Sequence, residues 1–324
     1  MHRRLLLGLA LLAYYSAHAQ PISEQKQVVA FLFGTVHPLK PDRSHFTDAA
    51  GQPIAAEAAL GTAFFVLYPD ARGGPDFAFS YLATAKHVLK DVDGTFLSTV
   101  RLRLNLLKSE GKQGIDFINA IPVTDHENKL LWIHNLEDDA VDVALFPLLP
   151  DSKRFSYNAL PVSMFVDDQT LKSEGVAEGD PLYFIGLMSQ YYGASRNHPV
   201  VRSGTLALMT EEKIDTPTGP QNAFIAELAS WPGNSGSPVF LNLGGLRGSV
   251  LTVGEKLRFL GILAGTYQNR WKAQTVEAGT IVGGSGEPTG ISFIIPAKQI
   301  RLILESSTAQ ALRDAEIKRR GLGR

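Results

Sequence analysis

No cysteine occurs among the 324 residues. Disulfide staples, thiolate zinc sites, thiol catalysis and iron–sulfur clusters are excluded together, and stability is left to packing. Neither charge is in excess, with 31 Lys+Arg against 32 Asp+Glu. That balance speaks against a nucleic-acid or polyanion partner, which draws a basic excess. Long apolar runs are missing beyond the first twenty residues, so no later segment is expected to cross a membrane. What is present suits a buried core: 44% hydrophobic and 19% charged residues, at a length for one large domain or two modest ones.

The N-terminus reads as an address. His2, Arg3 and Arg4 start it, an apolar run covers 5–13, and Ala17-His18-Ala19 offers small residues where a signal peptidase cuts. This is the layout of a secretory signal peptide, and the run is shorter than the roughly 20 residues a span needs. Cleavage after Ala19 would leave Gln20 as the first mature residue. An uncleaved anchor is the alternative. Export implies a periplasmic or extracellular location, without stable membrane insertion after cleavage.

The remainder is rich in short Val, Ile, Phe, Tyr and Leu runs between Gly, Pro, Asn and Asp clusters. Such runs predict strands at 28–36, 62–68, 79–84, 99–107, 117–124, 130–133, 141–148, 181–187, 200–209, 223–229, 238–243, 258–266 and 291–295. Arg101-Leu102-Arg103-Leu104-Asn105-Leu106 alternates with period two, predicting one buried and one wet face. Helix is expected only near 87–90 and from 297 to about 319, with Lys318-Arg319-Arg320 as a frayed basic tail. The fold class is therefore all-β and antiparallel, a barrel or sandwich. A seam near 150–175, where the pattern weakens and charge gathers, divides two β halves.

Four strings carry candidate chemistry: Gly61-Thr62-Ala63-Phe64-Phe65-Val66, Ala83-Thr84-Ala85-Lys86-His87-Val88, Val141-Asp142-Val143-Ala144-Leu145 and Pro232-Gly233-Asn234-Ser235-Gly236-Ser237-Pro238. A serine hydroxyl needs a base to become a nucleophile, and acyl transfer needs N–H groups aimed at the oxyanion. A loop with glycine on both sides of Ser235 can supply both. Asp142, set among apolar residues and expected within a strand, needs a hydrogen-bonded partner, and a histidine N–H is the natural one. Asp138 and Asp139 compete for that place. A simple turn at 232–238 and a structural His87 are the alternatives.

These strings resemble the trypsin-like (chymotrypsin-fold) serine peptidases, most of all the cysteine-free bacterial branch with periplasmic heat-shock proteases and glutamyl endopeptidases. The matches are GTAFFV at 61–66, TAKHV at 84–88, DVAL at 142–145, GNSGSPVF at 233–240 and GISFIIP at 290–296. The resemblance implies two six-stranded antiparallel β-barrels and a C-terminal helix. With the leader read at 1–19, the chain would divide into that signal peptide, an N-terminal segment with the first strand at 20–60, and a first barrel at 61–160. A second barrel would follow at 161–300, then the helix and basic tail at 301–324. His87 would be the general base and acid, Asp142 its orienting partner, Ser235 the nucleophile, and the Gly233 and Ser235 N–H groups the oxyanion hole. No cofactor is implied. The substrate would be a protein or peptide, and the oligomeric state is left open.

Departures from the family pattern carry information. Asn234 precedes the nucleophile, where many members carry an aspartate that pairs with a newly cut amine, so activation by N-terminal insertion is not expected. Ile281-Val282-Gly283-Gly284 imitates an activation site but follows Ser235. By position, the specificity pocket would be lined by Ala229, Ser230 and Trp231, with Ile262, Leu263, Ala264 and Gly265 from a later strand. The substrate-binding residues proposed are Ala229, Ser230, Ala264 and Gly265. None is charged, which predicts an apolar or small side chain, unless Arg270 or His198 projects inward. Asp125, His126, Glu127, His134, Asp138 and Asp139 gather in one region, where a metal site is the alternative to a polar, solvated loop, but their spacing fits no common zinc or calcium loop. Two other readings stand beside an exported serine endopeptidase: a non-catalytic peptide- or protein-binding module on the same fold, and an acyl hydrolase on another. The last is opposed by the absence of G-x-S-x-G at Ser235 and by the His, Asp, Ser order.

Overall fold

The computed structural model describes residues 22–40, 42, 44–107, 114–216, 218–247, 250–269 and 287–322. The expected signal peptide at 1–19, Gln20, Arg270 and the glycine-rich string at 281–284 lie outside the described residues.

All thirteen expected strands have a counterpart. The first half holds β1 (Val29–Val36), β2 (Ala56–Pro69), β3 (Ala78–Thr84), β4 (Thr99–Leu106) and β5 (Ile115–Pro122), then β6 (Ile133–His134), β7 (Ala144–Pro147), β8 (Phe155–Ser156) and β9 (Leu160–Pro161). They form one nine-stranded sheet in the order β5-β4-β1-β2-β3-β7-β6, with β8 on β4 and β9 on β2. The expected first barrel is thus not closed by a ladder among the described residues. Its outer strands meet only near the isolated bridge Thr124–Leu130, where Trp132 Nε1 donates to Pro122 O at 3.0 Å.

The second half opens with α1 (Asp168–Ser173), which lies within the expected seam. It continues with β10 (Pro181–Gly186), β11 (Val200–Leu208), β12 (Ile214–Thr216), β13 (Gly219–Gln221), β14 (Phe224–Glu227) and β15 (Pro238–Asn242). After these come β16 (Gly245–Arg247), β17 (Val250–Thr252), β18 (Leu257–Asn269) and β19 (Glu287–Pro296). Six of these close a barrel in the order β10-β11-β14-β19-β18-β15, while β12–β13 and β16–β17 are separate hairpins. Leu182, Phe184, Leu206, Val239, Leu241, Leu260 and Ile294 fill it. A second cluster runs from the first sheet into the second half, where the Phe259 ring lies 5.3 Å from Phe64 and 4.8 Å from Phe165.

The C-terminal stripe forms two helices rather than one, α2 (Ala297–Glu305) and α3 (Ser307–Arg320). Ser306 breaks it: its backbone is extended, and its side chain accepts from Ala309 N as the cap of α3. Ile300, Ile303 and Leu304 of α2 are buried, contributing about 2 kcal/mol each. The basic end is not frayed. Arg319 and Arg320 both pair with Glu316, and Gly321 closes the helix in the left-handed region. No described helix is long and apolar enough to cross a membrane.

The alternation of β4 holds on one face, where Val100, Leu102 and Leu104 are buried. It fails on the other. Arg103 is only 2% exposed, because a loop from the second half covers it.

Candidate functional site

The chain leaves β3, a strand buried along its whole length, and turns into a short 3-10 segment over Lys86–Leu89. His87 therefore sits where a rigid strand ends, with its side chain one-third exposed. Asp142 is not within a strand as expected. It lies just before β7, and its side chain is 1% exposed. Outside the ladder its carboxylate can collect N–H donors, which a buried charge requires. It accepts His87 N at 2.9 Å and the Nδ1–H of the His87 ring at 2.6 Å. The backbone bond fixes the carboxylate, and the ring bond holds one tautomer, leaving Nε2 as the ring's acceptor. Burial works to lower the His87 pKa, but the charge and hydrogen bond of Asp142 outweigh it and hold the imidazole above its ordinary value.

The rival carboxylates are used elsewhere. Asp139 pairs with the buried Lys86 ammonium at 2.6 Å while its own side chain is 91% exposed, and Asp138 pairs with Lys213 at 2.8 Å. Asp125 accepts the N–H groups of Glu127 and Lys129 in a turn, and His134 donates to Trp132 O.

Sequence reasoning missed Gln221. This fully buried residue at the end of β13 accepts Asp142 N with Oε1 at 3.2 Å. Its amide nitrogen donates to Thr216 and Thr218, which fixes the amide's orientation. A hairpin from the second half thus roofs the aspartate of the first. Nothing local in Thr-Gly-Pro-Gln signals that role.

The serine loop is built around the Asn234 side chain, which is 1% exposed. Its Nδ2 donates to Leu187 O at 2.5 Å, and its Oδ1 accepts Trp231 N at 2.7 Å. A neutral amide offers both donor and acceptor, so the loop needs no amine from elsewhere. Gly233 adopts φ +93°, a left-handed conformation that favours glycine. Among the described residues, no protein acceptor takes the N–H of Gly233 or of Ser235. Both donors of the expected oxyanion hole are uncommitted.

Thr62 joins this loop to the first sheet. Its N–H donates to Ser235 O at 2.9 Å, its hydroxyl donates to Gly233 O at 2.9 Å, and its Oγ1 accepts Leu187 N at 2.8 Å. A Cβ on Gly61 would meet both Ser235 O and Val88, the neighbour of His87, at under 3 Å. Ser235 and the His87 turn therefore face each other across β2. Among the described residues no hydrogen bond within 3.5 Å joins Ser235 Oγ to the imidazole. Such bonds are often long before substrate arrives.

Gly236 shows how close this docking is. Its φ is +85°, and a Cβ there would stand 2.1 Å from Thr62 O and 2.5 Å from Thr84 Oγ1. Gly236→Ala is expected to cost about 3 kcal/mol of stability. Urea unfolding checks this, and an unchanged midpoint would mean that the loop does not dock on β2.

Of the expected pocket residues, Ala229 is exposed, Ser230 and Ala264 are buried, and Gly265 is half-buried with open space around its Cβ position. Gly236 N donates to Leu263 O at 2.8 Å, which places Ala264 and Gly265 immediately beyond the serine loop. Two unforeseen hydroxyls join them. Ser292 Oγ donates to Leu228 O at 2.7 Å and lies 3.1 Å from Ser230 Oγ, which also bonds Thr266 Oγ1. With its proton on Leu228, Ser292 can only accept from Ser230, so Thr266 donates to Ser230. His198 does not join these residues: it is exposed and stacks on Tyr191.

No family model matches the chain, and no curated protein does. Among solved structures it is similar to the HtrA-type protease AlgW with decapeptide, at 19% identity and a TM-score of 0.45, covering 88% of this chain and 66% of that one. It is also similar to the MamO protease domain from Magnetospirillum magneticum in its apo form, at 14% identity and TM-score 0.44, covering 87% and 98%. An inactive serine-to-alanine mutant of Rv3671c from M. tuberculosis follows at 12% identity and TM-score 0.42, covering 90% and 98%.

Proposed function

We propose that this protein is an exported serine endopeptidase. The observation that carries the reading is the paired bond of buried Asp142 to the His87 backbone and ring, opposite a serine loop with two uncommitted N–H groups. Ser235 Oγ attacks the substrate carbonyl and gives its proton to His87 Nε2. Asp142 holds the imidazole in the accepting tautomer and stabilises the imidazolium that forms. The N–H groups of Gly233 and Ser235 receive the oxyanion. The imidazolium then protonates the leaving amine, and water repeats the sequence in reverse to free the acid. In this reading the nine-stranded sheet takes the part of a first barrel, with the Thr124–Leu130 bridge in place of its closing ladder. The leader is cut after Ala19.

The test is labelling of the purified mature protein by a fluorophosphonate probe, which captures an activated serine. Labelling at Ser235 supports the reading, and a folded protein that stays unlabelled overturns it. The binding-module reading draws on the absent Ser235–His87 hydrogen bond and would then take its place.

The specificity residues point to a small, uncharged side chain on the acyl side of the scissile bond. Ser230, Thr266 and Ser292 satisfy one another and end on Leu228 O, so no ionic partner is offered. Thr266 carries the outermost hydroxyl of that chain. Thr266→Gly is expected to raise kcat/KM for a Leu or Phe substrate by about tenfold over its Ala counterpart. Paired peptide substrates measure this, and an unchanged ratio would remove Thr266 from the pocket.

A further inference from the structure

The wet face of β4 contains one residue that is not wet. Arg103 is 2% exposed, and no carboxylate pairs with it among the described residues. Burial pulls its pKa below the ordinary arginine value. A buried charge without a counter-ion is a poor source of stability, so its presence needs another reason.

Its partners supply one. The guanidinium donates to Tyr192 O at 3.2 Å and Asn197 Oδ1 at 2.9 Å through Nη1, and to Gly193 O at 2.6 Å and Ala194 O at 3.4 Å through Nη2. All four acceptors belong to the tip of the loop that joins β10 to β11. Asn197 returns the contact, donating Nδ2 to Arg103 O at 2.8 Å and its N–H to Asn105 Oδ1 at 2.7 Å. The Tyr192 ring packs edge-on against Phe33 at 5.3 Å and lies under the guanidinium at 5.1 Å. A planar fork of fixed donors suits several carbonyls at once, where a lysine ammonium would reach fewer.

The base of the same loop lies under the serine loop. Leu187 O takes the Asn234 amide at 2.5 Å, and Ser189 Oγ donates to Pro232 O at 3.0 Å. A Cβ on Gly233 would touch Leu187 and Ser189 at 3.3–3.4 Å. One loop therefore has its tip clamped to the first sheet and its base supporting the residues around Gly233.

We propose that Arg103 is a positioning residue for the oxyanion loop: by clamping the tip at Tyr192–Asn197, it holds Leu187 and Ser189 where they keep Asn234 and Gly233 in place. The proposal deepens the peptidase reading and, for its catalytic consequence, rests on it. It ties the shape of the second-half loop to a residue on the first sheet.

The test uses Arg103→Ala, Arg103→Lys and Asn197→Ala in the whole mature chain. Hydrogen exchange is followed at the hydrogen-bonded amides of Asn234, Gly236 and Ser237, and kcat and KM are measured on a peptide substrate. Faster exchange is expected at these amides as well as at 187–198. With it, kcat should fall roughly 10-fold to 100-fold and KM should change by less than about twofold. Arg103→Lys should fall between Ala and wild type, and millimolar guanidinium should restore part of the Arg103→Ala rate. If exchange rises at 187–198 alone, the clamp merely anchors a loop and the proposal is overturned. If Arg103→Ala does not fold, Asn197→Ala and Arg103→Lys carry the same comparison. If the wild type takes no fluorophosphonate label, the peptidase reading fails, while exchange at 234–237 still decides the clamp.

Discussion

Ser235→Ala is expected to abolish fluorophosphonate labelling and lower kcat by about 10⁶-fold, with the fold intact. The size follows from the proposed acyl-enzyme route, in which Ser235 is the nucleophile. Alanine leaves only the two N–H donors and the bound substrate geometry, worth roughly 10³–10⁴ over the uncatalysed reaction. The neutrality toward folding follows from the site itself. The loop is held by the Ser235 carbonyl, which accepts Thr62 N, while the half-buried hydroxyl makes no hydrogen bond among the described residues. The stability change should therefore stay within about 0.5 kcal/mol. Mass-resolved labelling, turnover and thermal melting of the two proteins measure this together. Turnover that survives in Ser235→Ala would remove the covalent mechanism, whatever the melting curve.

Asp142→Asn is expected to lower kcat by about 10⁴-fold. The amide keeps the volume but can present an N–H to Nδ1, which favours the wrong tautomer of His87. The pH profile should change as well. In the wild type Asp142 holds the imidazole pKa above its ordinary value against the effect of burial. In the proposed mechanism His87 must be neutral to accept the Ser235 proton, so kcat/KM should rise with pH through a midpoint above the usual histidine range of about 6.5. Without the carboxylate, burial and the nearby Lys90 charge remain, both lowering the pKa, and the residual activity of Asp142→Asn should rise at a lower pH.

Linkage fixes the sign for stability. A histidine whose folded pKa is raised adds stability that is complete below its unfolded value and is lost as pH rises through the folded value. The wild type should lose that contribution across the same window, and Asp142→Asn should not. Asp139→Asn is the comparison. Its carboxylate is exposed and pairs with Lys86 rather than His87, so activity should be kept. The opposite pattern, with Asp139→Asn inactive and Asp142→Asn active, would overturn the assignment.

Much of this architecture is legible in the sequence, because the signals are local. Period-two alternation, glycine and proline punctuation and β-branched runs act over a few residues, and each of the thirteen expected strands has a counterpart in the structure. The short pieces β8, β9, β12, β13, β16 and β17 span two or three residues each, too few to establish a period. The break between α2 and α3 was readable in principle, since Ser306 with Ala309 is a local cap, but the apolar stripe on either side masked it.

Composition and order by themselves determined the β class, the absence of thiol chemistry, and the strings that bring histidine, aspartate and serine into play. Tertiary structure alone decided that Asp142 stands outside the strand and bonds both the His87 backbone and its ring, that Gln221 roofs this aspartate, that Thr266 and Ser292 complete a hydroxyl chain with Ser230, and that Arg103 is buried. The reason is the same in each case. A hydrogen bond is made by distance and direction, and the partners here stand between 36 and 94 residues apart along the chain. Side-chain pattern determines which face a residue takes, whereas what covers that face depends on where a remote loop returns.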